Sequence, residues 1–138
     1  MFASAESDAD AGGHAMTAAM NAMAAEVLLL LRLALTDEAV GPREAAVLRR
    51  FAASALKLSE EEVAEIMSAL VDLTSEAEIM QARMNLRQLS HARRLILAET
   101  LFELAMRDAE LCCRAERLTT RVCDVLALGT EEVAHLSR

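Results

Sequence analysis

The chain has 138 residues, 54% of them apolar and only 2% aromatic, with no Trp or Tyr, four Gly and one Pro. That length suits one domain with its own core, and the composition excludes a disordered chain and disfavours β-structure. Acidic residues number 22 against 14 basic, and the resulting net charge of −8 disfavours nucleic acid and anionic lipid as partners.

Residues 1–14 are small and acidic and lead through Gly12-Gly13, so they read as a disordered acidic tail before a helical domain over residues 15–138. A first helix is expected from Thr17 to Leu35, and its second half, Val27 to Leu35, is apolar nearly all round. Glu26 and Arg32 interrupt the apolar stretch from Met16 to Leu35, which marks it as a buried core helix with no direct membrane insertion. Thr36 to Gly41 form a loop, and Pro42 opens a second helix at the one turn where its missing N–H costs nothing. Val47, Leu48, Phe51, Ala55 and Leu58 give that helix its core face.

Ser59-Glu60-Glu61-Glu62 is a capping box that opens a third helix, with Val63, Ile66, Met67, Leu70 and Leu73 as its stripe. Ser75 to Glu78 is a second box, starting a fourth helix that runs to about Asn85. Ser90 caps a fifth from His91 to about Asp108, the second mostly apolar helix. A sixth spans Ala115 to Leu126, with Gly129 as its stop, and Thr130 caps a last short helix from Glu131 to Leu136. The fold class is therefore all-α: a single globular bundle of about seven helices.

The pattern repeats. Leu33-Ala34-Leu35-Thr36-Asp37 and Leu104-Ala105-Met106-Arg107-Asp108 each close an apolar helix with an Asp, and Glu44 and Glu116 follow at the next helix start. Ala55 to Val63 corresponds to Val125 to Val133. The unit predicts a pseudo-twofold internal repeat around two central helices, with Leu30, Leu33 and Ala34 packed against Leu101, Leu104 and Ala105.

At these residues the sequence resembles the TerB-like family, to which the N-terminal domain of a DnaJ-like membrane co-chaperone is related. The family pattern is an apolar helix ending Ala-x-x-Asp-Gly, a Glu about seven residues on, and Leu-Gly-Leu-Ser before an acidic helix start. Here the first copy reads Ala34 to Glu44 followed by Leu56-Lys57-Leu58-Ser59. The second reads Ala105 to Glu116 followed by Leu126-Ala127-Leu128-Gly129. Leu89-Ser90-His91-Ala92-Arg93 resembles the start of the family's fifth helix. The Gly after each Asp is replaced by Glu38 and Ala109, and the second Asp–Glu spacing is one residue longer. The resemblance implies a non-enzymatic module of a tellurite-resistance-like stress response or a scaffold. It also implies a divalent cation, calcium or zinc, held at the acidic turns by Asp37 and Glu44 and by Asp108 and Glu116.

The residues themselves leave two readings of these turns. Carboxylates at a helix start complement its dipole and satisfy free N–H groups, the favoured reading; gathered by a tight connection, they could also ligate a hard cation. No EF-hand series is present. Around the second turn, Arg107 and Arg114 are expected to neutralise the acids. Cys112, Cys113 and Cys123 lack the spacing of a zinc site and read as buried core filler in a reducing, cytoplasmic compartment. His91 reads as an exposed helix-start residue, and the eight Met as core packing. There is no Gly-rich phosphate loop and no nucleophile with a sequence-evident His and acid, so a hydrolase or redox enzyme ranks last. The remaining class is a metal-free helical module that binds an unknown protein partner.

Overall fold

The computed structural model describes residues 22–134. The expected acidic tail, the first helix's start at Thr17 and the last helix's end at Leu136 lie outside them. The described residues form seven α-helices and a short 3-10 turn, without a strand. Helix α1 spans residues 22–35, followed by α2 (Pro42–Ser54), α3 (Glu60–Val71), α4 (Glu76–Arg87) and α5 (His91–Ala105). The 3-10 turn Cys112–Arg114 then leads into α6 (Ala115–Leu126) and α7 (Thr130–Ala134).

Helix α1 is enclosed as its composition requires. Val27, Leu28, Leu30, Leu31 and Leu33 are wholly buried. They share one core with Leu97, Leu101 and Ala105 of α5 and with Val122, Val125 and Leu126 of α6. Helix α5 is less enclosed than its sequence suggests: Leu104 is half-buried and Ile96 and Glu103 face water. The methionines also divide. Met67 is buried, whereas Met80, Met84 and Met106 are about half exposed and fill no core.

Three starts are capped as the sequence predicts. Ser59 Oγ accepts the Glu62 N–H at 3.2 Å while Glu62 accepts the Ser59 N–H at 2.9 Å. Ser75 and Glu78 repeat this at 3.1 Å each, and Ser90 Oγ accepts the Arg93 N–H at 3.1 Å. The ends differ from expectation. Helix α5 stops at Ala105 rather than Asp108, because the Asp108 carboxylate takes the N–H groups of Glu110 and Leu111 at 2.9 and 3.0 Å. A side chain that bonds its own backbone ahead competes with the helix ladder. Helix α6 ends at Leu126 as expected, but the residue that turns the chain there is not Gly129. Ala127 instead turns left-handed at φ 55°, the Leu128 N–H reaches back to the Cys123 carbonyl at 2.9 Å, and Gly129 gives its N–H to Glu132 at 2.7 Å. Helix α2 ends likewise at Ser54, with Lys57 at φ 54° and the Leu58 N–H on the Ala52 carbonyl at 3.1 Å.

The two left-handed residues occupy the Gly position of the repeated Leu-Gly-Leu-Ser pattern, and each lets the following Leu turn back toward the core. The same closure therefore ends the second helix of each sequence copy, α2 and α6, while α4 lies between the copies along the chain and packs against α6.

One cation lies in the core. Arg32 is wholly buried in α1, and its guanidinium donates to the carbonyls of Thr36, Glu38 and Leu73 at 3.1, 2.8 and 3.0 Å. These carbonyls follow the ends of α1 and α3, where backbone acceptors lack helical donors and the dipole is negative. Burial lowers the Arg32 pKa from its ordinary value, an effect opposed by the nearby Asp37 charge.

Two stability measurements follow. Arg32→Leu should lower the urea-unfolding free energy by about 2–4 kcal/mol, because several carbonyls lose a charged donor at once; a neutral substitution would show that water serves those carbonyls equally well. Ala127→Gly should raise it by about 1 kcal/mol, the cost of a Cβ in the left-handed region, and Lys57→Gly should act in the same direction.

Candidate functional site

The acidic turns are built from the same parts but do not collect their carboxylates. Asp37 lies just past α1, exposed, and accepts Arg121 of α6 at 2.9 Å and Arg83 of α4 at 3.2 Å. Glu44, in the first turn of α2, accepts the Gly41 N–H at 2.9 Å and so caps its own helix. Asp108 is nearly buried, holds its own turn, and accepts Arg50 of α2 through Nη2 at 2.9 and 3.0 Å and through Nε at 3.3 Å. Glu116 is exposed at the start of α6. Arg114 lies 3.7 Å from Glu110, as expected for a neutralising partner, whereas Arg107 pairs with Glu103 at 4.0 Å. Among the described residues, no group of three or more His, Cys, Asp or Glu is placed to hold a metal ion.

The two aspartates perform one reciprocal task. Asp37 of the first half binds Arg121 of the second, and Asp108 of the second binds Arg50 of the first. Asp37 and Asp108 stand 71 residues apart, as do Arg50 and Arg121. The two braces are thus reciprocal between the halves. Arg121 also donates to the Ala34 carbonyl at 2.7 Å, tying α6 to the end of α1. That shared spacing of Asp and Arg was the signal in the sequence that could have found Arg50 and Arg121. Arg32 carried another, as a lone cation in an otherwise apolar run.

Beside the first brace lies a cleft of about 460 Å³ between the 34–38 turn and α6. Arg114, Arg117 and Arg121 line it, and their spacing spreads three guanidinium groups over roughly 10 Å of helix. Asp37 and Glu38 form the opposite lip. Arg117 is exposed and has no ion-pair or hydrogen-bond partner among the described residues. Sequence reasoning did not single out this ladder, because its setting depends on which turn faces α6.

The cysteines depart from expectation. Cys123 is buried, but Cys112 is half-buried and Cys113 exposed, and all three are free thiols. The 3-10 turn holds the first two at the surface. His91 is exposed at the start of α5, as its position suggests, and its Nε2 lies 3.1 Å from Glu132 of α7. No helix among the described residues is long and apolar enough to cross a membrane.

The family model described as tellurite resistance protein TerB matches residues 19–138. The chain belongs to the TerB family. Comparison with curated proteins and with solved structures gave no match. This TerB chain is thus a tellurite-resistance-related module in which the family's repeated Asp serves, in both halves, as a brace to the other half.

Burial alone would raise the Asp108 pKa, but the Leu111 N–H, Arg50 and the Glu110 N–H together hold it below the ordinary carboxylate value. A depressed carboxylate stabilises the fold fully above its unfolded pKa of about 3.9 and loses that contribution as the pH falls through the folded value. Asp108→Asn should therefore cost about 1–2 kcal/mol at pH 7, allowing for the exposed Arg50. The gap between variant and parent should shrink steadily in acid, read from urea midpoints across pH; a penalty that stayed constant into strong acid would contradict the charge assignment.

Proposed function

We propose that this chain is a non-enzymatic, metal-free TerB module of a cytoplasmic, tellurite-resistance-like stress response, and that it works by holding a protein partner against α6. The observation that carries the reading is the ladder of Arg114, Arg117 and Arg121 along an open cleft of about 460 Å³. Guanidinium groups stay charged at every physiological pH and form forked bonds with carboxylates, so they equip a surface to bind rather than to move protons. The partner surface that fits is a segment bearing carboxylates. The braces supply an internal example, since Asp37 already occupies Arg121 in that manner.

The metal-free form is favoured over a calcium or zinc site because the acidic turns already use their carboxylates. Asp37 and Asp108 hold arginines of the opposite half, and Glu44 holds the Gly41 N–H. A cation at either turn would have to displace these bonds before gaining its own ligands.

The functional test is survival of tellurite by a host that depends on this chain. Arg114→Glu with Arg117→Glu should abolish protection while leaving helicity and the unfolding midpoint near those of the parent. Undiminished protection would remove the cleft from the function. In parallel, calcium or zinc should leave the amide signals of Thr36 to Glu44 unmoved. Saturable shifts there that disappear in the Asp37→Asn, Glu44→Gln variant would reinstate the cation reading.

A further inference from the structure

A second open cleft, of about 690 Å³, lies on the other side of Arg114 and Arg117, where Arg43 of α2 faces the 3-10 turn. Two of its lining residues are Cys112 and Cys113. Neighbouring side chains ordinarily diverge, yet here both Sγ atoms point at one acceptor. Cys112 Sγ lies 3.5 Å and Cys113 Sγ 3.4 Å from the Ala109 carbonyl oxygen. The turn that achieves this is held on the N-terminal side by Asp108, which accepts the Glu110 and Leu111 N–H groups and grips Arg50. Two free thiols thus converge on one side of a braced turn, beside three guanidinium groups.

This donor set selects its ligand. Two sulfurs are too few for a tetrahedral zinc site closed by protein, and no third ligating side chain joins them among the described residues. Soft sulfur donors favour soft, thiophilic centres. A ligand that needs two sulfurs, keeps oxygens of its own and arrives with negative charge would use the thiols and the three guanidinium groups, which outnumber the one carboxylate in the lining, Glu116, because guanidinium groups are the preferred partners of oxyanions.

We propose that Cys112 and Cys113 form a two-sulfur capture site for thiophilic metalloid oxoacids, with Arg43, Arg114 and Arg117 drawing in the anion. The step is a condensation. Two S–H bonds and two metalloid–OH bonds break, two S–metalloid bonds form, and two waters leave; the metalloid keeps its oxidation state and no electrons are transferred. Partial burial and the neighbouring Cys113 push the Cys112 thiol above its ordinary pKa, which keeps it protonated and slow to oxidise before the ligand arrives. The site shares Arg114 and Arg117 with the partner-holding cleft but takes its ligand through sulfur, so the cysteine variants test it independently of that reading.

The test uses the full reduced chain under anaerobic conditions with phenylarsine oxide, which condenses with a dithiol and releases one water without oxidising it. Intact-mass measurement should show one phenylarsenic group per chain that survives a monothiol wash and is removed by a dithiol. Cys112→Ser and Cys113→Ser should each lower adduct retention by about 100-fold, the gain expected when a second contact closes at high effective concentration. Cys123→Ser should leave it unchanged. Sodium tellurite should slow the labelling of the parent, and slow it much less in Arg43→Ala with Arg117→Ala. The proposal is overturned if the adduct requires Cys123, if either single serine variant keeps it through the wash, or if tellurite only removes two hydrogens from the chain without binding. Circular dichroism of each serine variant separates loss of the site from loss of the fold.

Discussion

A guanidinium in the middle of an apolar helix is costly unless it finds acceptors, and Arg32 finds them through both Nη groups, while its Nε stays buried without a partner. Its arms reach the carbonyls of Thr36, Glu38 and Leu73, so a single side chain ties the end of α1 to the first acidic turn and to the end of α3. The turn that carries Asp37 is consequently fixed from inside, and Asp37 projects outward at a defined place. From there it meets Arg121 and Arg83, which locate α6 and α4. The position of the cleft along α6 follows from those two contacts.

The same physical device recurs. Arg94 donates to the Leu126 carbonyl at 2.8 Å and Arg87 to the Val125 carbonyl at 3.0 Å, so the last turn of α6 is closed by two side chains from other elements. Arg121 does the same for Ala34 at the end of α1. Helix C-termini present carbonyls without intrahelical donors, and a planar fork with five N–H groups can serve several of them at once, which an ammonium does less well. This gives a physical account of why nearly all the positive charge is Arg, with Lys57 the one Lys in the chain. Lys57 stands where the backbone turns left-handed rather than in any such closure.

Duplication explains why the acidic residues look like ligands in the sequence and act as struts in the fold. Each half contributes one Asp and one Arg, and the two pairs cross between the halves. A carboxylate committed to a guanidinium is a poor start for a cation site, and Glu44 is similarly committed to the Gly41 N–H. What the crossing leaves over is positive: Arg117 without a partner among the described residues, and Arg114 only loosely held at 3.7 Å from Glu110. On a chain with a net charge of −8, that remainder is a local basic surface bordered by acids. Such a surface favours a partner matched at short range over one drawn in by long-range attraction.

Helix number and order, the capping serines and the central burial of α1 were legible in the residues, because they depend on spacing and on neighbours three or four positions away. Ser59 with Glu62, Ser75 with Glu78 and the apolar run of Val27 to Leu35 act locally, and local rules apply before the chain folds. The equivalence of Asp37 with Asp108 was legible too, as was membership in a family that repeats them. Where the carboxylates point was not. Asp37 and Asp108 each answer to an arginine more than 50 residues away, and only the packing of one half against the other decides that. The turns that close α2 and α6 were not legible for a related reason, although α6 ends at Leu126 as expected. Lys57 and Ala127 carry no mark of a left-handed turn, and they adopt one because Leu58 and Leu128 must return to the core. Cys112 and Cys113 look like filler in a list of small apolar residues. They stand at the surface because Asp108 ended α5 three residues early and left them on a turn, a choice made by hydrogen bonds that no periodicity records.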